Sequence, residues 1–145
     1  MNREDQNREP PGKNKVLIVD DDPPLRYGPA QRIDKAPDLV TCGEAEDVRE
    51  ALEAIAAEHP DIVILDISLK TSNGLHLIQQ IRENQPGLPV LVLTMHDESV
   101  YAERALRAGA RGYLMKQEAT CKVIEGIRKI MNGDIYVSEQ MAQKM

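Results

Sequence analysis

Four charged side chains each stand just beyond a short apolar run. Asp20 and Asp21 follow Val16-Leu17-Ile18-Val19, Asp66 follows Ile62-Val63-Ile64-Leu65, and Lys116 follows Tyr113-Leu114-Met115. Carboxylates gathered in one place repel one another, which raises a pKa or recruits a cation. A donor set made only of oxygen suits Mg²⁺ or Mn²⁺, which commonly takes one or two carboxylates together with phosphate oxygens. A carboxylate can also accept a phosphoryl group as an acyl phosphate. That transfer depends on positioning and charge neutralisation more than on covalent help. Lys116 offers a point charge for a phosphoryl oxygen. Thr94, directly after Val90-Leu91-Val92-Leu93, offers a hydroxyl.

These residues share a site only if the elements before them end at one edge. Continuous apolar runs bounded by polar residues suit parallel strands buried on both faces, expected near 16–19, 39–42, 62–65, 90–93 and 111–115. Helical stripes lie between and after them: Val48, Ala51, Leu52 and Ile55; Leu75, Ile78 and Ile81; Val100, Ala105 and Leu106; Val123, Ile124, Ile127 and Ile130. Alternation of this kind implies a parallel sheet with helices on both faces. Ligands of such a sheet sit beyond the carboxyl ends of its strands. The first helix is irregular. Asp22 is placed to cap it and Pro23 suits its first position, but Pro29 falls in its interior at a cost of about 3 kcal/mol. With Arg32 on the stripe of Leu25, Gly28 and Ile33, a kinked or shortened helix is expected.

The flanks read differently from the body. Residues 1–14 are polar and charged and read as a disordered lead-in, 15–131 as the folded domain, and 132–145 as the start of a linker. Within that linker Ile135-Tyr136-Val137 has the pattern of a short extended piece. A net charge of −6 with no Lys/Arg block argues against nucleic-acid affinity residing in this chain. Cys42 and Cys121 form no metal motif and read as reduced and structural. His59, His76 and His96 lack metal-ligand spacing. No signal peptide or membrane-length apolar run is evident, so a cytoplasmic protein with no membrane partner is expected.

Taken in order, Val19-Asp20-Asp21, the lone Asp66, Gly74, Thr94 and Tyr113-x-x-Lys116 resemble a response-regulator receiver domain over residues 15 to about 131. Asp66-Ile67-Ser68-Leu69-Lys70, Gly109-Ala110-Arg111-Gly112-Tyr113 and the Ile135-Tyr136-Val137-Ser138 tail are similar to the NarL/FixJ subfamily, whose members carry a LuxR-type helix-turn-helix after such a tail. The resemblance implies a flavodoxin-like, doubly wound (βα)5 sandwich with sheet order 2-1-3-4-5. It implies that Asp66 receives a phosphoryl group from a sensor histidine kinase. Asp21 would bind Mg²⁺ directly and Asp20 through water, with Asp66 and the backbone carbonyl of Ser68 completing the protein ligands. Lys116 would bind the phosphoryl group, Thr94 would be drawn toward it, and Tyr113 would turn inward. Ser68 and His96 match positions that tune the phosphate's lifetime. Implied partners are the kinase, a second copy on phosphorylation, and DNA through a C-terminal domain beyond this chain.

Two rival readings belong to other classes. An aspartyl-phosphate phosphatase or phosphotransferase commonly has an acid/base carboxylate two residues after its nucleophile, where this chain has Ser68. A stand-alone receiver would act through protein contacts alone.

Overall fold

A computed structural model describes residues 13–67, 73–94, 98–137 and 143; the side chains of 23–27, 94, 98–101, 117 and 119–121 lie outside the described set. Strands and helices alternate as β1 (Asn14–Val19), α1 (Pro23–Lys35), β2 (Leu39–Ala45), α2 (Val48–Glu58), β3 (Ile62–Leu65), α3 (Gly74–Asn84), β4 (Val90–Thr94), α4 (Glu98–Ala108), β5 (Gly112–Met115) and α5 (Lys116–Met131). The strands form one parallel sheet in the order β2-β1-β3-β4-β5. This is the doubly wound order that the resemblance to receiver domains implies.

Successive strand residues point to opposite faces, and each face is buried. On one side Leu17, Val19, Val63, Leu65 and Val92 meet Ile55 of α2, Ile78 and Ile81 of α3, and Ala102 and Ala105 of α4. On the other, Val16, Ile18, Ile62, Ile64 and Leu91 meet Ile33 of α1 and Val123, Ile127 and Ile130 of α5. The aliphatic runs therefore supply both layers without phenylalanine or tryptophan.

Several boundaries shift for local reasons. Asn14 belongs to β1, not to the lead-in, because its N–H donates to the Asp38 carbonyl at 2.8 Å. β2 continues to Ala45 across a bulge: Val16 pairs with Thr41 and Leu17 with Gly43, leaving Cys42 as the extra residue. Cys42 is a free, half-buried thiol.

For α1 a kink or a shortening is expected, and its length answers the second. It is not shortened, and runs through Pro29 for 13 residues. Asp22 stands at its cap position without a side-chain cap hydrogen bond. Fully buried Ile33 anchors the end of the helix, while Arg32 is exposed and off the buried face. Packing of one aliphatic residue thus outweighs one lost backbone hydrogen bond.

Past α5 the chain turns at residues 132–133 and lies beside β5, where Tyr136 forms a parallel bridge with Gly112.

Candidate functional site

β1 and β3 are adjacent, and each delivers an aspartate one step past its last paired residue. The Asp20 N–H donates to the Ala45 carbonyl at 2.9 Å, and the Asp66 N–H donates to the Val19 carbonyl at 2.9 Å. These bonds continue the ladders by one residue and hold both carboxyls at the carboxyl edge of the sheet. Asp20 and Asp66 are buried, and Asp21 is half-buried. Carboxylate oxygens of Asp20, Asp21 and Asp66 lie within 4.8 Å of one another.

β5 brings the balancing charge. Lys116 is the first residue of α5, a position where a cation opposes the helix dipole. Its Nζ donates to Asp20 Oδ2 at 2.7 Å and to Asp66 Oδ2 at 3.0 Å, so two carboxylates offset that penalty. The Asp22 N–H also donates to Asp20 Oδ1 at 3.0 Å.

The electrostatics follow from this sharing. Burial pushes the Asp20 carboxyl up, and neither Lys116 nor the Asp22 amide cancels that push. Burial works against the charge of Lys116, but its hydrogen bonds to Asp20 and Asp66 outweigh it and raise its pKa. Among the described residues, one ammonium is divided between two carboxylates beside a third, which leaves this cluster with excess negative charge. The donor chemistry and spacing fit a hard divalent cation.

The structure thus brings together Asp20, Asp21, Asp66 and Lys116. Thr94 ends β4 and is registered against Met115, which puts its backbone at the same edge; its side chain lies outside the described residues. Tyr113, opposite Val92 on the neighbouring strand, is 1% exposed and packed in the core, so its ring already occupies an inward position. Ser68 and His96 lie outside the described residues.

Gly74 has a positioning role that composition alone does not reveal. A Cβ there would stand 2.5 Å from Ile67 Cα and 2.9 Å from the Ile67 carbonyl oxygen. α3 therefore starts directly against the backbone that follows Asp66, under a cap in which Asn73 Oδ1 accepts from the Leu75 N–H at 2.9 Å. Only a glycine allows that approach.

Comparison with known proteins agrees with this arrangement. The family model described as the response regulator receiver domain matches residues 16–128. The chain is 33% identical over 130 residues to the transcriptional activator protein ExaE of Pseudomonas putida, covering 90% of this chain and 61% of that protein. It is 31% identical over 128 residues to the nitrate/nitrite response regulator protein NarL of Escherichia coli strain K12, covering 87% of this chain and 58% of NarL. It also matches the crystal structure of a LuxR-family two-component response regulator from Aurantimonas sp. SI85-9A1, with a TM-score of 0.84 and 31% identity over 90% of this chain and 94% of the other. The chain spans between 56% and 61% of the length of the first three curated relatives it matches. With strand order, acidic edge and family match in agreement, this chain belongs to the response regulator receiver domains, the signalling switches of two-component systems, and its relatives are of the NarL/LuxR type.

Proposed function

We propose that Asp66 is the phosphoacceptor of this switch. The observation that carries the reading is Lys116 Nζ bridging Asp20 and Asp66 at 2.7 and 3.0 Å beside a third carboxylate. An Asp66 oxygen attacks the phosphorus of a phosphohistidine on a sensor kinase, the P–N bond breaks, and the imidazole leaves with its electron pair. Lys116 holds Asp66 in place beforehand and then pairs with a phosphoryl oxygen. Thr94 offers its hydroxyl to that group, and loading favours the inward position that the Tyr113 ring holds here. Ser68 and His96, two positions after Asp66 and Thr94 in sequence, would tune how long the phosphate lasts. Asp20, Asp21, Asp66 and the Ser68 carbonyl would hold Mg²⁺ or Mn²⁺, which when bound neutralises charge on the transferred group.

Phosphorylation then biases two pre-existing conformations. It turns over no external substrate; the only hydrolysis is loss of its own phosphate. Residues 1–13 serve as a lead-in, 14–131 as the switch, and 132–145 as the start of a linker. The output is transcriptional and rests on a DNA-binding domain outside residues 13–137, with a second copy of the protein as partner after phosphorylation. Relatives named as a transcriptional activator and a response regulator support this, as both extend beyond the span shared here. Among the described residues no helix is long and apolar enough to cross a membrane, which is compatible with work in the cytoplasm.

Intact mass after incubation with Mg²⁺ and a small-molecule phosphodonor tests the site. One phosphoryl adduct is expected, dependent on Mg²⁺ and absent from Asp66→Asn. An adduct that persists in Asp66→Asn, or none in a folded sample, overturns the assignment.

A further inference from the structure

Past α5 the chain is held against the outer edge of β5 by contacts on both faces of the sheet. The Tyr136 N–H donates to the Arg111 carbonyl at 2.9 Å, and the Tyr113 N–H donates to the Tyr136 carbonyl at 3.0 Å. Tyr136 packs on the α1–α5 side of the core, and its successor Val137 packs on the side that holds Tyr113. The Tyr136 hydroxyl donates to Glu125 Oε2 at 3.0 Å, and Lys129 Nζ stands 5.9 Å from the ring centroid. Gly126 makes room for the ring: a Cβ there would lie 3.0 and 3.1 Å from its Cδ2 and Cε2.

We propose that residues 134–137 form a strap that seats the following chain on the β5 edge and ties it to Tyr113, so that the phosphoryl state of Asp66 is passed to the chain exit. The docked partner of this edge is the protein's own continuation. One hydrogen bond joins the strap to the backbone of Tyr113, and Val137 shares a cluster with the Tyr113 ring. A shift of Tyr113 therefore moves or releases Tyr136. Ordering four residues costs backbone entropy comparable to what so few contacts return, so the strap lies near its docking balance. A strap so balanced responds to a modest bias. The coupling rests on the phosphoacceptor reading above; the tie between strap and Tyr113 does not.

Amide hydrogen exchange on the 145-residue chain, with and without Mg²⁺ and beryllofluoride, tests both parts, alongside Tyr136→Ala and Gly126→Ala. Without beryllofluoride, Tyr136→Ala is expected to speed exchange at the Tyr113 amide about tenfold or more, since that amide loses its local protection. Gly126→Ala shifts it in the same direction by displacing the ring, while α5 stays helical. A Tyr113 amide equally protected in both variants overturns the tie. On loading, the Tyr113 and Tyr136 amides are expected to change together, and the response beyond residue 133 vanishes in Tyr136→Ala although that variant still gains the phosphoryl adduct by intact mass. A loaded protein in which Tyr113 responds and Tyr136 does not overturns the coupling. Failure of Asp66 to take any phosphoryl group overturns the coupling together with the site assignment, while the unloaded comparison still decides the tie.

Discussion

Asp20 illustrates how the pocket sets stability against function. Its carboxyl is pushed above its unfolded value by burial, so the stability it contributes is complete below about pH 3.8 and is lost as pH rises through the folded value. At neutral pH its charge is a net cost unless a cation is bound. Asp20→Asn keeps an acceptor for the Asp22 amide and removes that charge. Thermal melts without divalent cation are expected to show it more stable than the parent, with the increment gained on adding Mg²⁺ reduced. Lys116 has the opposite charge but the same direction of shift. Its contribution is present below pH 10.5 and is lost as pH rises through its raised value. Lys116→Ala leaves the carboxylates facing one another. A loss of about 1–3 kcal/mol is expected at neutral pH, partly restored by Mg²⁺.

Helices bring their own constraints to the edge. α3 starts at Gly74 against the Ile67 backbone, 2.5 Å from where a Cβ would stand, and backbone cannot swing aside as a flexible side chain can. Gly74→Ala is therefore expected to cost about 1–3 kcal/mol by denaturant unfolding. It should also slow phosphoryl uptake, since the displaced segment directly follows Asp66. α1 offers the converse case. Pro29 removes a backbone hydrogen bond within a 13-residue helix, so Pro29→Ala is expected to stabilise the fold by up to about 3 kcal/mol. Its phosphoryl uptake should be unchanged, because Pro29 is not among the residues gathered at the acidic edge.

The sheet edges give the domain its asymmetry. At β2, Asp38 accepts from Arg128 Nε at 3.0 Å and from Nη2 at 2.8 Å, bracing the turn before the strand against α5. Arg128 holds the Asp38 carboxyl below its usual value, so this brace is present above pH 3.8 and fades as pH falls through the lowered value; salt weakens it throughout. At β5 the edge is closed by the strap, and Tyr136 reports on that closure. Burial, then its bond to Glu125, pushes its phenol up to about 12. Its contribution is present below pH 10 and is lost as pH rises toward about 12. Ultraviolet titration of the tyrosinates should show a late-ionising phenol that is lost in Tyr136→Phe. A titration with as many late-ionising phenols in Tyr136→Phe as in the parent would assign it elsewhere.

The strand–helix alternation and the acidic edge were legible along the chain because both come from short-range pattern, whereas the sheet order rested on the resemblance to receiver domains, which the observed ladders bear out. Four-residue aliphatic runs specify buried parallel strands, and a charge directly after such a run must emerge at the carboxyl edge, which brings Asp20, Asp66 and Lys116 together. Other features depended on contacts between segments far apart in sequence. The continuation of α1 through Pro29 was decided by the burial of Ile33, because local propensity weighs a proline but not its tertiary compensation. The approach of Gly74 to Ile67, the brace from Arg128 to Asp38 and the seat of Tyr136 on Gly126 arise only when helices pack at particular distances. No period or motif encodes those distances. Pattern specified which layers form and where their charges emerge; packing specified how closely they meet, and that closeness links Asp66 to α3 and the chain exit to Tyr113.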